Sequence, residues 1–258
     1  MNEQIILDRD EGIATIKVQR PEALNALSRN IVNRLDVLLE EVENDKDVRV
    51  LLLYSEKNFA AGADIKDMAV CDEAGAKDFL FTPTYNRLQG LPIPTIAVID
   101  GYAFGGGLEL ALRCDFRIVS KTAKMGLTEL NLGIIPGAGG TVMLPRLIGE
   151  AKAKEMIYLS KVVTGKEAEQ IGLANVAVEA EELLPTARKW AEKLCTRSGL
   201  SLAAAKASIE NAIGHPEYEA ASSWEGEHWA SLFNYHDQKE GMKAFLEKRK
   251  PIFTDRHQ

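Results

Sequence analysis

Short apolar runs alternate with segments of helical periodicity over the first 180 residues of this chain. The runs "VRVLLLYS" (48–55), "TIAVIDG" (95–101), "DFRIVS" (115–120) and "GLANVAV" (172–178) have the length and composition of buried strands. Strands that alternate with helices are typical of the α/β class. The sequence therefore predicts an α/β fold.

The chain opens with a predicted hairpin and a predicted helix. "QIILDRD" and "GIATIKVQRP" flank a turn at residues 10–12, and Pro21 ends the second strand. Ser28 is placed to cap the helix that follows. A single helix is predicted farther on, over about residues 73–90, where the Pro92 and Pro94 breakers follow.

Strand patterns stop near residue 180, and four helical segments follow. They are "AEELLPTARKWAEKLCTR", "SLAAAKASIENAI", "EYEAASSWEGEHWASLF" and "QKEGMKAFLEKRK". We place a boundary near residue 196, which divides the chain into a core, 1–195, and a helical region, 196–258.

Charge and composition exclude several classes of function. A net charge of -7 provides no general attraction to nucleic acid or to an anionic membrane surface. No apolar run approaches the length of about 20 residues that spans a bilayer, and the N-terminus has no secretory signal pattern, so we expect a cytoplasmic location. Neither the three cysteines nor the four histidines are spaced as metal ligands, so no metal site is expected; the histidines are His215, His228, His236 and His257.

Three consecutive glycines, Gly105 to Gly107, lie between a predicted strand and a predicted helix, and Glu109 follows them. Backbone without side chains can approach a ligand, and the first turn of a helix has unpaired N–H groups that hold an anion or a developing negative oxygen. Close packing of the helix against the strand explains the glycines equally well. The spacing fits neither the dinucleotide-binding pattern nor the phosphate loop of nucleoside triphosphatases.

Two more loops rich in small residues carry charged side chains. "FAAGADIKDM" (59–68) follows a predicted strand and includes Asp64 and Lys66. "TELNLGIIPGAGGTVMLPRL" (128–147) includes Glu129, which taken by itself is better explained as a solvated loop residue. These loops do not by themselves identify a reaction.

Taken together and in order, the motifs resemble those of the enoyl-CoA hydratase/isomerase (crotonase) family over almost the whole chain. The resemblance is carried by "RPEALNAL", "NFAAGADIKDM", "GYAFGGGLELALRCDFRI", "TELNLGIIPGAGGT", "VVTGKEAEQIGL" and "EGMKAFLEKRKPIF". It implies a spiral of repeated ββα units. It also implies that the helical C-terminal region completes the acyl-CoA site and assembles the chain into homotrimers or hexamers made of two trimers.

The resemblance also implies a site and a reaction. Ala63 and Gly106 match the two N–H donors of an oxyanion hole, and Glu109 and Glu129 match the two catalytic acids of hydratases. The remaining matches to substrate-binding positions are Asp64, Ile65, Lys66 and Gly137. The implied substrate is an acyl-CoA thioester, whose coenzyme A is part of the substrate, so no separate cofactor is expected.

The pair of acids favours hydration of a trans-2-enoyl-CoA to a 3-hydroxyacyl-CoA, with Glu109 activating the water and Glu129 protonating the α-carbon. A double-bond isomerase of the same family is the first alternative, and a non-catalytic RNA-binding or scaffold protein on this fold is the second. The chain departs from many hydratases at Gln19 and Thr128, where they carry Asn and Pro. These two differences affect the expected substrate shape and leave the reacting groups in place.

Overall fold

The computed structural model describes residues 4–214 and 217–256. Nine strands occur in these residues: β1 (Ile5–Asp10), β2 (Ile13–Val18), β3 (Val50–Tyr54), β4 (Thr95–Ile99), β5 (Tyr102–Phe104), β6 (Phe116–Ser120), β7 (Lys124–Gly126), β8 (Val163–Thr164) and β9 (Val176–Val178).

Twelve α-helices occur in the same part of the chain. They are α1 (Arg29–Asn44), α2 (Ile65–Met68), α3 (Glu73–Asp78), α4 (Thr82–Gly90), α5 (Gly106–Leu112), α6 (Gly140–Ile148), α7 (Glu150–Tyr158), α8 (Gly165–Gln170), α9 (Leu183–Cys195), α10 (Gly199–Gly214), α11 (Tyr218–Ser231) and α12 (His236–Leu246). None of these helices combines the length and the apolar character needed to cross a bilayer.

The main sheet has six strands in the order β1-β2-β3-β4-β6-β9. β1 and β2 form the predicted antiparallel hairpin, whose turn residues Glu11 and Gly12 both have positive φ, and the other neighbours are parallel. Strands β3 and β4 are buried on both faces, which explains why their sequences are continuous apolar runs. The α/β class predicted from the alternation is confirmed.

A second, smaller sheet of β5, β7 and β8 lies beside the first. The chain passes from β4 to β5 and then into α5, and from β6 to β7 and later into α6, so that each of these two turns contributes one strand to each sheet and then a helix. Isolated bridges between Leu27 and Ala63 and between Ala60 and Ala103 extend this ladder to earlier turns. The chain therefore forms the expected spiral of ββα units.

The second sheet was not predicted, because its strands have only two or three residues each. A run of this length is too short to display the alternation that marks a strand. Two of these short strands nevertheless position the small-residue loops: paired β5 and β7 lead into Gly105 and Thr128, and the bridge from Ala60 to Ala103 joins loop 59–68 to β5.

The single helix predicted over 73–90 is wrong, because the structure has two helices there, α3 and α4. Pro83 has no N–H to donate to the carbonyl four residues before it, which disfavours a continuous helix here, and the proline instead occupies the first turn of α4. The interruption also allows the Phe81 ring to enter the core, where it is 6% exposed. The predicted cap of α1 is confirmed, since Ser28 Oγ accepts from the N–H of Ile31 at 3.3 Å.

The helices after β9 differ in how they pack. Helix α9 covers the outer face of the main sheet, where Leu183, Ala187 and Ala191 contact a cluster of strand residues that includes Val50 and Val98. Helices α10 to α12, with the 3-10 turn Leu232–Asn234 between α11 and α12, follow in the chain and leave large apolar side chains exposed, among them Ile209, Ile213, Trp229, Phe233, Phe245 and Leu246. The boundary near 196 falls between α9 and α10, and the division into two regions remains a prediction.

Candidate active site

A different structural feature accounts for the glycine at each of the three positions that open α5. Gly105 has φ 48° and ψ −124°, a conformation that side chains disfavour. A Cβ on Gly107 would collide with the carbonyl oxygen of Ala60, so this glycine allows close packing. Gly106 has room for a Cβ, and its N–H is the first of the helix. The packing explanation is therefore correct for Gly107 and insufficient for Gly106.

Backbone N–H groups from two loops meet at the start of α5. A Cβ built on Gly106 would lie 3.7 Å from the Ala63 nitrogen, so the two residues are direct neighbours. Within the described chain, neither of these N–H groups donates to another protein group. Both residues line a pocket of about 420 Å³. The pocket thus has two unpaired donors at the amino end of a helix, where the backbone dipoles favour a negative oxygen.

Glu109 lies one turn into α5 and is 3% exposed. Its Oε1 accepts hydrogen bonds from the N–H groups of Ala138 and Gly140, both at 2.8 Å. Burial raises the pKa of this carboxyl, whereas the two N–H donors and the nearby Arg113 lower it. The side chain is therefore fixed in orientation by the loop before α6, and hydrogen bonding partly offsets the cost of burying its charge.

Glu129 begins the short 3-10 helix Glu129–Leu132 and is 9% exposed, so it is not a solvated loop residue. Its Oε2 is buried and has no hydrogen-bond partner among the described residues. Burial, with a smaller contribution from the nearby charge of Glu109, raises the pKa of Glu129 to about 7. Two carboxyls of different environment therefore face the same pocket, one of them close to half protonated near neutral pH.

The remainder of the pocket is largely apolar. Its walls include two aromatic rings, Phe79 and Phe81, whose centroids are 5.2 Å apart, and the aliphatic side chains of Ile65, Leu132 and Ile135. An apolar chain attached to a polar reacting group fits such a lining. Thr128, one of the two departures noted in the sequence, also lines this pocket.

Three of the predicted substrate-binding residues have placements that the sequence did not reveal. Asp64 caps α2 through the N–H of Lys66 at 3.0 Å and forms a salt bridge with Arg20 at 2.6 Å. Neither Asp64 nor Lys66 lines the pocket, whereas Ala63 and Ile65 do. Gly137 lines the pocket but precedes the helix, because α6 begins at Gly140.

The histidines lie away from this pocket wherever the structure describes them. His215 and His257 lie outside the described residues. His236, Asp237 and Asp255 place potential ligand atoms within 4.8 Å of one another. However, Asp237 Oδ1 accepts from the N–H groups of Thr254 and Asp255 at 2.7 and 3.1 Å, so the group is explained as an anchor of the C-terminal segment.

Several residues around the site were missed by the sequence reasoning. The N–H groups of Ala138 and Gly140 hold Glu109, and the Tyr85 hydroxyl donates to the carbonyl of Gly106 at 2.8 Å. The glycine-rich segment 137–140 was the only signal for the first pair. Nothing in the sequence near Tyr85 indicated that its hydroxyl would reach α5, since 21 residues separate the two positions.

Comparison with known proteins identifies the family of this chain. The family model for enoyl-CoA hydratase/isomerase matches residues 8–256. A crotonyl-CoA hydratase of Syntrophomonas wolfei is 38% identical over 98% of this chain and 99% of its own length, and a short-chain-enoyl-CoA hydratase of Clostridium acetobutylicum is 38% identical over 95% of each. The crystal structure of an enoyl-CoA hydratase from Bacillus anthracis superposes with a TM-score of 0.93 at 36% identity, over 97% of this chain and 99% of that one. The chain therefore belongs to the enoyl-CoA hydratase/isomerase family.

Proposed function

We propose that this protein is an enoyl-CoA hydratase, a lyase that reversibly adds water to a trans-2-enoyl-CoA and forms a 3-hydroxyacyl-CoA. The observation that carries the proposal is the meeting of two unpaired N–H groups and two buried carboxyls in one apolar pocket. Full-length similarity to proteins named as hydratases supports the same reaction.

The N–H groups of Ala63 and Gly106 form the proposed oxyanion hole. Attack of water on the β-carbon of an enoyl thioester moves negative charge onto the thioester oxygen. Donors that point at this oxygen stabilise the transition state more than the substrate, and each contributes about 2.7–4 kcal/mol. Because both donors belong to the backbone of packed loops, they require little reorganisation during the reaction.

The two carboxyls divide the proton transfers. Glu109, which accepts two N–H bonds, is the better stabilised as an anion and takes a proton from the attacking water. Glu129, whose pKa is raised to about 7, is about half protonated at neutral pH, and its protonated form donates the proton to the α-carbon. The pair ends the addition with the same number of protons, since Glu109 gains one from water and Glu129 gives one to carbon. Because the two carboxyls interact, their apparent pKa values belong to the pair and not to either residue alone.

The substrate itself supplies coenzyme A, and the mechanism uses no other cofactor. Asp64, Ile65, Lys66 and Gly137 remain proposed contacts of the thioester and its CoA portion.

Exposed apolar side chains on α10 to α12 support assembly into a homotrimer or a pair of trimers. Sedimentation should then give a mass about three or six times 28.4 kDa. Neither nucleic acid nor membrane takes part in the proposed activity, and a cytoplasmic location is proposed with it.

Incubation with crotonyl-CoA tests the proposal. The absorbance of the conjugated thioester should fall as 3-hydroxybutyryl-CoA forms, and the reverse reaction should restore it from the hydroxy compound. Unchanged absorbance together with turnover of a 3-enoyl-CoA would establish the isomerase instead. Tight RNA binding at physiological salt without turnover of either thioester would establish the non-catalytic alternative.

A further inference from the structure

Arg113 lies at the end of α5, behind the pocket that its neighbour Glu109 faces. It is partly buried, and it does not line the pocket. A guanidinium in this position has no direct contact with substrate in the proposed reaction. Its hydrogen bonds nevertheless lead back to the site.

The guanidinium holds one residue of the loop that binds Glu109. Arg113 Nη2 donates to the carbonyl oxygen of Ala138 at 2.8 Å, and the N–H of the same Ala138 donates to Glu109 Oε1 at 2.8 Å. Gly139 follows, with φ 114°, and a Cβ there would collide with the guanidinium. Gly140 supplies the second N–H to Glu109. Residues 138–140 are therefore held between the Glu109 carboxyl on one side and the Arg113 guanidinium on the other.

Other side chains fix the direction of the guanidinium. Arg113 Nη1 donates to Gln89 Oε1 at 2.6 Å and to Asn86 Oδ1 at 3.0 Å, both on α4. The amide of Gln89 donates in turn to Glu210 Oε2 at 2.6 Å, on α10. A flexible arginine is thus restrained at three acceptors, so it can hold the Ala138 carbonyl in one position.

We propose that Arg113 is a positioning residue for Glu109: it secures the loop 138–140 from behind and supplies a positive charge that favours the ionised carboxylate. This inference rests on the proposed role of Glu109 in activating water. A catalytic carboxylate whose supporting groups are loose loses its productive geometry, and a misplacement of about 1 Å can reduce the rate about 100-fold.

The charge of Arg113 should shift the pKa of Glu109 in a definite direction. The charged or titratable groups that face Glu109 are Arg113 on its own helix, Glu129 from the 3-10 helix and Tyr85 from α4. Of these, Arg113 is the one that lowers the pKa of Glu109. Removal of its charge should raise that pKa, so the acid limb of the rate profile should move to higher pH.

Arg113→Met tests both parts of the proposal. We expect kcat for crotonyl-CoA hydration to fall about 10- to 100-fold at pH 7, with KM changed less than about twofold, and the acid limb of kcat/KM to shift upward. Arg113→Lys keeps the charge but not the fork of donors, so it should keep the wild-type acid limb and lose only part of kcat. The matched control is Arg146→Met, which removes an exposed arginine from α6.

The result that overturns the proposal is a folded Arg113→Met protein with wild-type kcat and an unmoved acid limb. A loss of kcat equal in the Met and Lys variants, with no shift of the limb, would overturn the electrostatic part. Should the Met variant not fold, Arg113→Gln carries the same test, because its amide keeps a donor near Ala138 but no charge.

Failure of the proposed function can be told apart from failure of this inference. Wild-type protein that does not hydrate crotonyl-CoA refutes the function. The Glu109 carboxyl can still be titrated by 13C NMR in glutamate-labelled protein, with Glu109→Gln identifying the signal. A higher pKa for that signal in Arg113→Met supports the inference without turnover, and an unchanged one contradicts it.

Discussion

Replacement of Glu129 by Gln should abolish most of the hydration and, at the same time, stabilise the fold at alkaline pH. Glutamine has nearly the same shape as glutamic acid but cannot deliver a proton to carbon. General acid–base catalysis contributes about 10²- to 10⁴-fold, so we expect kcat to fall by that factor, which corresponds to about 2.7–5.5 kcal/mol of activation free energy.

The stability effect follows from the buried, unpaired Oε2 of Glu129. Its pKa is raised from 4.5 to about 7, so the folded state holds the proton more tightly than the unfolded state does. Wild-type stability is therefore lost as the pH rises from the unfolded pKa through the folded one. Linkage gives a destabilisation of about 1 kcal/mol at pH 5 and about 3 kcal/mol at pH 8.5, and Glu129→Gln removes this pH-dependent term.

Urea unfolding at pH 5 and pH 8.5 measures the effect, at one protein concentration because assembly also contributes to stability. The variant should gain about 2 kcal/mol over wild type between the two pH values. Glu181→Gln, the same substitution at an exposed position, should show no such gain. A variant that hydrates crotonyl-CoA at the wild-type rate, or whose stability relative to wild type does not change with pH, refutes the reasoning.

Two further substitutions test the backbone at the start of α5. Gly106→Pro removes one proposed oxyanion donor at a helix position where proline is tolerated, and kcat should fall about 10²- to 10³-fold. Gly106→Ala keeps the N–H, and its Cβ would lie 3.5 Å from Phe81, so most of the rate should be retained. Gly107→Ala places a Cβ against the backbone of Ala60 and should reduce the free energy of unfolding by about 3 kcal/mol. Gly226→Ala is the control, because a Cβ there meets open space and should leave that free energy unchanged. Equal melting temperatures for these two variants would contradict the packing argument.

Residues close together in the chain made much of the local structure predictable. The hairpin of β1 and β2, the Ser28 cap and the longer strands follow from turn chemistry and periodicity within about ten residues. The strands of the second sheet were missed because they are too short to have a period. The break between α3 and α4 had a local signal in Pro83, which the single predicted helix did not take into account.

The candidate site was predictable as a set of positions but not as an arrangement. Resemblance to a family picked out Ala63, Gly106, Glu109 and Glu129, and the structure places all four in one pocket. It did not indicate that Asp64 would pair with Arg20, because that contact joins residues 44 apart.

By itself the sequence determined the fold class, the placement of glycines and acids in loops after strands, and the resemblance to one family. These properties depend on composition and on the spacing of residues that lie near one another in the chain. Only the tertiary structure decided which of three glycines exposes an N–H, that Glu129 Oε2 is buried without a hydrogen-bond partner among the described residues, and how Arg113 reaches the loop that holds Glu109. Each of these depends on contacts between distant segments, and burial and electrostatics arise from those contacts, not from the order of residues alone.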